Sequence, residues 1–298
     1  MKILLFGKNG QVGWELHRSL LPLGELIAVG RAEADFSAPE TLRSFVQAVK
    51  PQIIANAVAY TAVDKAEEEE SLAYRINADS PTVLADEAKR LNALLVHYST
   101  DYVFDGTKST PYTEDDEPNP LNAYGRTKLA GDRAIQVSGC RHLIFRTSWV
   151  YGARGQNFML TMLRLAKDRS ELKVVADQFG APTWSRLVAE TTAAVLAKTA
   201  NVFPVERSGL YNLTTAGSTS WHGFAQAIID GAKRRALLSA DKNVIVKRIP
   251  TSLYAMKASR PLNSVLSSSK VFSSFGIQMP SWDSCLEKLL DEMTLGLQ

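Results

Sequence analysis

With 298 residues, 45% of them hydrophobic and 22% charged, the chain can bury a substantial core and reads as a globular protein of one large α/β domain or two unequal lobes. A net charge of +3 without a clustered basic stripe gives no warrant for nucleic-acid binding, and no apolar run is long enough to cross a bilayer. Cys140 and Cys285 are the only cysteines, and neither they nor His17, His97, His142 and His222 show metal-ligand spacing, which argues for a reducing, cytoplasmic setting. The first residues run into a strand pattern and not a signal peptide.

Ile3, Leu4, Leu5 and Phe6 form an apolar run ended by Gly7, which predicts a buried strand over 2–6. A helix over 11–21, stopped by Pro22, a strand over 26–29 and a helix over 39–49 with Pro39 in its first turn follow. Strands are expected at 53–59, 94–99 and 143–147, with a long helical stretch over 71–91 and another helix before the last strand. This alternation implies a Rossmann-type, doubly wound parallel sheet covered on both faces. After Tyr151 the rhythm loosens: helices at 157–167, 183–199, 221–236 and 282–293, short strands at 172–175, 210–213 and 244–249. The expected division is therefore a dinucleotide-binding domain over 1–150, to which about 184–215 and 244–262 return, and a smaller C-terminal substrate lobe within 151–298. The acidic run 67–70 reads as a solvated helix face.

Gly7, Gly10 and Gly13 stand at intervals of three between the first strand and first helix. Such a loop needs one glycine for the tight turn, one for close approach to a pyrophosphate and one for packing helix on strand. The helix N-terminus then offers free N–H groups and partial positive charge to phosphates. At the end of the second strand, Gly30-Arg31 supplies a cation where an acid would mark NAD, which favours NADPH while leaving NADH open. Tyr124 and Lys128 lie four apart on an expected helix and so share a face. An ammonium beside a phenol stabilises its phenolate and brings a proton donor towards working pH. Ser99-Thr100-Asp101 ends the fourth strand, at the sheet edge where ligands bind in such folds.

These motifs, with the strings 56–64, 99–106, 146–152, 177–183 and 259–261, resemble the extended short-chain dehydrogenase/reductases, and among them the dTDP-4-dehydrorhamnose reductase family, over essentially the whole chain. The resemblance implies that Tyr124 protonates a C4 keto oxygen while NADPH gives hydride to the carbon. It implies that Lys128 lowers the tyrosine pKa and holds the nicotinamide ribose, and that Thr100 bonds the reacting oxygen. Gly7, Asn9, Gly10, Gln11, Val12 and Gly13 would meet the pyrophosphate, Gly30, Arg31, Asp35 and Phe36 the adenine side, and Ala57, Ala59 and Tyr60 the inner face of the cofactor. Related 4,6-dehydratases carry an Asp-Glu pair after the threonine. Here Asp101 is followed by Tyr102, which favours plain keto reduction over elimination.

For a nucleotide-sugar substrate the candidates are Asp101, Phe104, Asp105, Trp149, Asn157, Gln178 and Arg260, with Phe179 as a further aromatic surface. The family association also brings Mg2+, for which no ligands can be assigned, although Glu15, Glu190 and Glu292 could join across subunits of a homodimer. Two alternatives stand beside the reductase. One is a non-catalytic dinucleotide-binding regulatory subunit, like the beta subunit of methionine adenosyltransferase. The other is a reductase or epimerase of a different nucleotide sugar.

Overall fold

The computed structural model describes residues 1–198 and 203–295. Strand β1 (Lys2–Phe6), helix α1 (Gln11–Ser19), β2 (Glu25–Val29), α2 (Pro39–Val49) and β3 (Ile53–Asn56) follow the expected alternation. The third strand stops three residues early because the Asn56 side chain accepts the Val58 N–H and turns the chain out of the sheet. Helices α3 (Val63–Ala66), α4 (Glu70–Tyr74) and α5 (Ser80–Leu91) come next, with a π-helical segment, Arg75–Asp79, joining the last two. That segment carries Asn77, whose side chain accepts from Tyr60 N and donates to Tyr60 O and Thr127 Oγ1. A π-bulge inside a helix is a common mark of a functional region. Here it ties the loop after β3 to the helix that bears Tyr124.

Strand β4 (Leu94–Thr100), α6 (Ala123–Ser138) and β5 (Arg141–Thr147) complete the first half. Beyond it lie β6 (Val150–Tyr151), α7 (Phe158–Asp168), β7 (Glu171–Val175), β8 (Phe179–Gly180), β9 (Thr183–Trp184), α8 (Ser185–Lys198) and β10 (Gly209–Asn212). The expected helix over 183–199 is met by α8, and Thr199 lies outside the described residues. The chain continues through β11 (Thr219–Ser220), α9 (Trp221–Arg234), β12 (Ile245–Ile249), α10 (Ser269–Phe275) and α11 (Trp282–Leu295).

Six strands form one parallel sheet in the order β10-β5-β4-β3-β1-β2. Apolar residues of both strand faces feed two separate cores, one built around Ile3, Leu5, Val96 and Phe145, the other around Leu4, Phe6, Ile54 and Ile144. Burial on both faces explains why these strands read as continuous apolar runs. Helix α8 packs on α1, and β10 takes the edge beside β5. Strand β12, expected to return to this sheet, pairs instead with β7 in a separate two-stranded sheet. The reason is packing: β10 occupies the edge beside β5, and Val246 of β12 buries with Leu172 and Val174 in a third core that also contains Phe224, Ile228 and Leu286. Only the tail of the 244–262 segment reaches the first half, where Ala258 N donates to Asp64 and Ser259 O accepts from Asn122.

Candidate functional site

The C-terminal ends of β1, β2 and β3 open into one groove of about 610 Å³. Gly7, Asn9, Gly10, Gly30, Arg31, Asp35, Phe36, Ala57, Ala59 and Tyr60 line it, which brings together most of the residues expected to hold a dinucleotide. Gly10 caps α1 without a side-chain hydrogen bond, so the first N–H groups of that helix stay available to an anion. Three residues of the motif do not line the wall. Gly13 is buried beneath the turn, Val12 packs on the core under the sheet, and the Gln11 side chain accepts a hydrogen bond from Asn157 at 2.9 Å. Arg31 is exposed at the rim, 3.8 Å from Asp35. Asp35 is held below the usual carboxylate range mainly by hydrogen bonds from the Ser37 amide and hydroxyl. Glu33, which sequence reasoning passed over, accepts from Gly30 N at 2.9 Å and pairs with Lys8 at 2.7 Å.

Next to this groove, β4 ends at Thr100 and α6 is capped by Asn122, whose side chain accepts from Gly125 N at 2.8 Å. This cap fixes the first turn of α6, which carries Tyr124. The phenol lies beside the Thr100 side chain and stands edge-on to Tyr102, ring centres 5.7 Å apart. Thr100 also accepts from Tyr102 N and donates to Asp101, each at 3.1 Å. Burial pushes the Tyr124 phenol up to about 12, with Thr100 opposing the rise and the carboxylates of Asp101 and Asp132 adding to it. The group is therefore a protonated phenol, as a proton donor must be. Lys128 is fully buried, and its Nζ lies 2.6 Å from Tyr98 O and 3.0 Å from His97 Nε2. The expected ammonium acting on the phenol is thus turned towards β4, and burial lowers its own pKa to about 8.

Asp101 is buried beside this corner, and burial raises its carboxyl to about 7 against hydrogen bonds from Ser264 and Thr100 that lower it. A pKa raised above the unfolded value stabilises the fold at low pH and loses that contribution as pH rises through about 7. Asp101→Asn is therefore expected to flatten the pH dependence of stability between about pH 4 and 7, where one such group supplies up to about 1.4 kcal/mol per pH unit. Denaturant unfolding of both proteins across that range checks it, and parallel curves would contradict the assignment.

A second cavity of about 340 Å³ opens on the other side of Tyr102. Its lining combines Tyr102, Asp64, Arg260, Gln178, Lys173, Phe158 and Trp221. Arg260 pairs with Asp64 at 3.2 Å and lies near Tyr102, while buried Gln178 donates to Thr251 at 3.1 Å. Two expected residues, Gln178 and Arg260, thus meet here. Trp149 stands behind the wall, stacked on Trp221 at 3.5 Å between ring centres. Phe104 is buried and stacked on Tyr112 at 4.2 Å. Asp105 closes its own loop by accepting from Thr107, Tyr112 and Asn119. Asn157 caps α7 through Leu160 N and reaches Gln11, and Phe179 lies on a separate shallow depression. The structure therefore gives Phe104, Asp105, Asn157 and Phe179 packing and capping contacts away from the cavity. Sequence reasoning missed Trp221 and Lys173 as cavity residues. Tyr102 and Asp64 sat inside the family-like strings and carried a signal.

Among the described residues no group of three or more His, Cys, Asp or Glu side chains is placed to hold a metal ion. Glu15 and Glu292 share the single guanidinium of Arg186, and Glu190, its pKa raised by burial, lies close enough for both carboxylates to push that pKa further up, so one positive charge faces three acidic side chains here. No helix among the described residues is long and apolar enough to cross a membrane.

The RmlD substrate binding domain family matches residues 1–295. The dTDP-4-dehydrorhamnose reductase of Burkholderia thailandensis is 51% identical over 98% of this chain and 100% of its own length. A crystal structure of the Clostridium acetobutylicum dTDP-4-dehydrorhamnose reductase superposes with a TM-score of 0.89 at 37% identity, covering 98% of this chain and 99% of that one. The Bacillus anthracis dTDP-4-dehydrorhamnose reductase, solved in complex with NADP, gives 0.87 at 35% identity over 98% and 99%. On this agreement of family match, sequence and fold, the chain belongs to the RmlD family of dTDP-4-dehydrorhamnose reductases.

Proposed function

We propose that this protein is an oxidoreductase that reduces the C4 keto group of dTDP-4-dehydro-L-rhamnose with NADPH, giving dTDP-L-rhamnose for surface polysaccharide. The observation that carries the reading is the position of Tyr124. It packs with Tyr60 of the glycine groove on the Ala66, Ala73 and Ala123 cluster, and its other neighbour is Tyr102 of the second cavity. A protonated phenol beside Thr100 thus stands where a cofactor in one cavity would meet a sugar in the other. Bound NADPH supplies the hydride. Tyr124 gives its proton to the developing alkoxide, Thr100 orients that oxygen, and Arg260 with Lys173 presents positive charge to the diphosphate.

The relatives named above support a reductase over a regulatory subunit, and nothing favours a different nucleotide sugar. A cytoplasmic setting remains the expectation from cysteine usage, and a homodimer remains an expectation beside it. Purified protein mixed with NADPH and the dTDP-linked 4-ketosugar should consume reduced cofactor, followed by its absorbance. Tight cofactor binding without consumption would overturn the reading. Arg31 is the exposed cation at the adenine end, and a charge-assisted bond to a 2′-phosphate is worth roughly 1.5–3 kcal/mol. Arg31→Ala is therefore expected to weaken NADPH binding by about 10-fold or more. NADH binding should stay nearly unchanged, as read by fluorescence titration of both cofactors.

A further inference from the structure

Sequence reasoning found no role for His97, yet it is fully buried in β4 between Asn56 of β3 and Lys128 of α6. Its Nδ1 lies 3.0 Å from Asn56 Nδ2, and its Nε2 lies 3.0 Å from Lys128 Nζ. The orientation of the Asn56 amide is fixed by its other bond, because Oδ1 accepts the Val58 N–H at 3.0 Å. The Nδ2 group must then donate, so His97 Nδ1 is the acceptor and the ring hydrogen sits on Nε2. An ammonium at Lys128 would set N–H against N–H across that 3.0 Å contact. A neutral amine removes the conflict: it donates to Tyr98 O and accepts from His97 Nε2 with its lone pair.

We infer that His97 is a positioning residue that favours the neutral amine of Lys128 over its ammonium in the protein without dinucleotide, and that binding of the dinucleotide releases the lysine and strengthens its hold on a proton. The charging step forms one N–H bond on Nζ with a proton taken from solvent. This second half rests on the reading of the groove as an NADPH site. The first half stands on hydrogen-bond geometry within the chain.

The charged groups around the lysine do not reverse the argument. Asp132, one turn further along α6, favours the ammonium, but its carboxylate already accepts from Ser99 at 2.8 Å and faces Arg146 of β5 at 3.4 Å. Tyr124, one turn back, is protonated, and Asn56 is neutral. Burial keeps His97 well below its ordinary pKa, so the ring is uncharged, and burial likewise opposes a charge on Lys128.

The test is nitrogen and carbon NMR of the cofactor-free protein labelled at histidine and lysine, with Lys128→Arg used to assign the lysine signal. His97 should show the Nε2–H tautomer, and Lys128 should titrate at least two pH units below the surface lysines, near the value of about 8 that burial gives it. A His97 with its hydrogen on Nδ1, or a Lys128 that titrates with the surface lysines, would overturn the inference. Asn56→Asp offers only acceptors to Nδ1, reverses the tautomer and should return Lys128 upward by one unit or more. His97→Gln, which can present a carbonyl oxygen to the ammonium, should do the same if the aspartate variant does not fold. An unmoved lysine in either folded variant would show that burial sets its pKa without His97. Calorimetry of NADPH binding near pH 8.5, in two buffers of different ionisation enthalpy, should show net uptake of a substantial fraction of a proton. Binding without uptake would sink the coupling, whereas failure to bind NADPH would sink the functional reading and leave the NMR result standing.

Discussion

Tyr124→Phe is expected to lower kcat by roughly 100- to 10,000-fold, the range supplied by a positioned general acid, and to leave NADPH affinity within about twofold of the parent. The substitution removes one hydroxyl and keeps the ring. Its edge-on packing against Tyr102 and its place on the alanine cluster need only the ring, so the fold around it should persist. What disappears is the hydroxyl beside Thr100 and the proton that leaves with the substrate oxygen. A step that loses only transition-state stabilisation lowers kcat without raising KM. Steady-state assays with the dTDP-linked ketosugar, beside cofactor titration, make the comparison. Turnover within tenfold of the parent would remove the phenol from the mechanism.

Gly13→Ala should abolish measurable cofactor binding and lower the unfolding temperature by several degrees. A Cβ at this position would lie 1.9 Å from Gly7 O and 2.6 Å from Gly7 C, both backbone atoms of the turn itself. No side chain can swing away to relieve such a contact. Helix α1 must move off β1, at a cost of about 1–3 kcal/mol or more for an overpacked core. Because the groove is made from that turn and the start of α1, the same movement spoils the anion site. Gly10→Ala is the internal control. There the added carbon meets Gly7 O at 3.5 Å, an ordinary contact, so stability should hold while a methyl group intrudes where the phosphates belong. Calorimetric unfolding and cofactor titration of both variants separate the two effects. A Gly13→Ala protein as stable as the parent would refute the packing argument.

The strands of the central sheet were legible because burial on both faces leaves uninterrupted apolar runs such as Ile3 to Phe6, and nothing but local pattern is needed to see them. The glycine spacing and the Tyr124–Lys128 interval were legible for the same reason, since a turn and one helical turn are both short-range geometry. The substrate side was much less so. Phe104 and Asp105 belong to a string that looked like a binding motif, yet one stacks on Tyr112 and the other ties a loop. Trp221 and Lys173 reach the cavity from elements far apart in the chain, with no local signal that they meet. Strand β12 was recognisable as a strand but not as the partner of β7, because pairing depends on which edge remains open.

The amino-acid order by itself thus determined the parallel α/β scaffold, the glycine turn and the placing of Tyr124 and Lys128 on one helix, all of which are written in contacts between near neighbours. The tertiary structure decided which way Lys128 turns, which side chains wall the second cavity, and that His97 stands between Asn56 and the lysine. Those are meetings between β3, β4 and α6, and side chains brought together by sheet order leave no periodic trace along the chain.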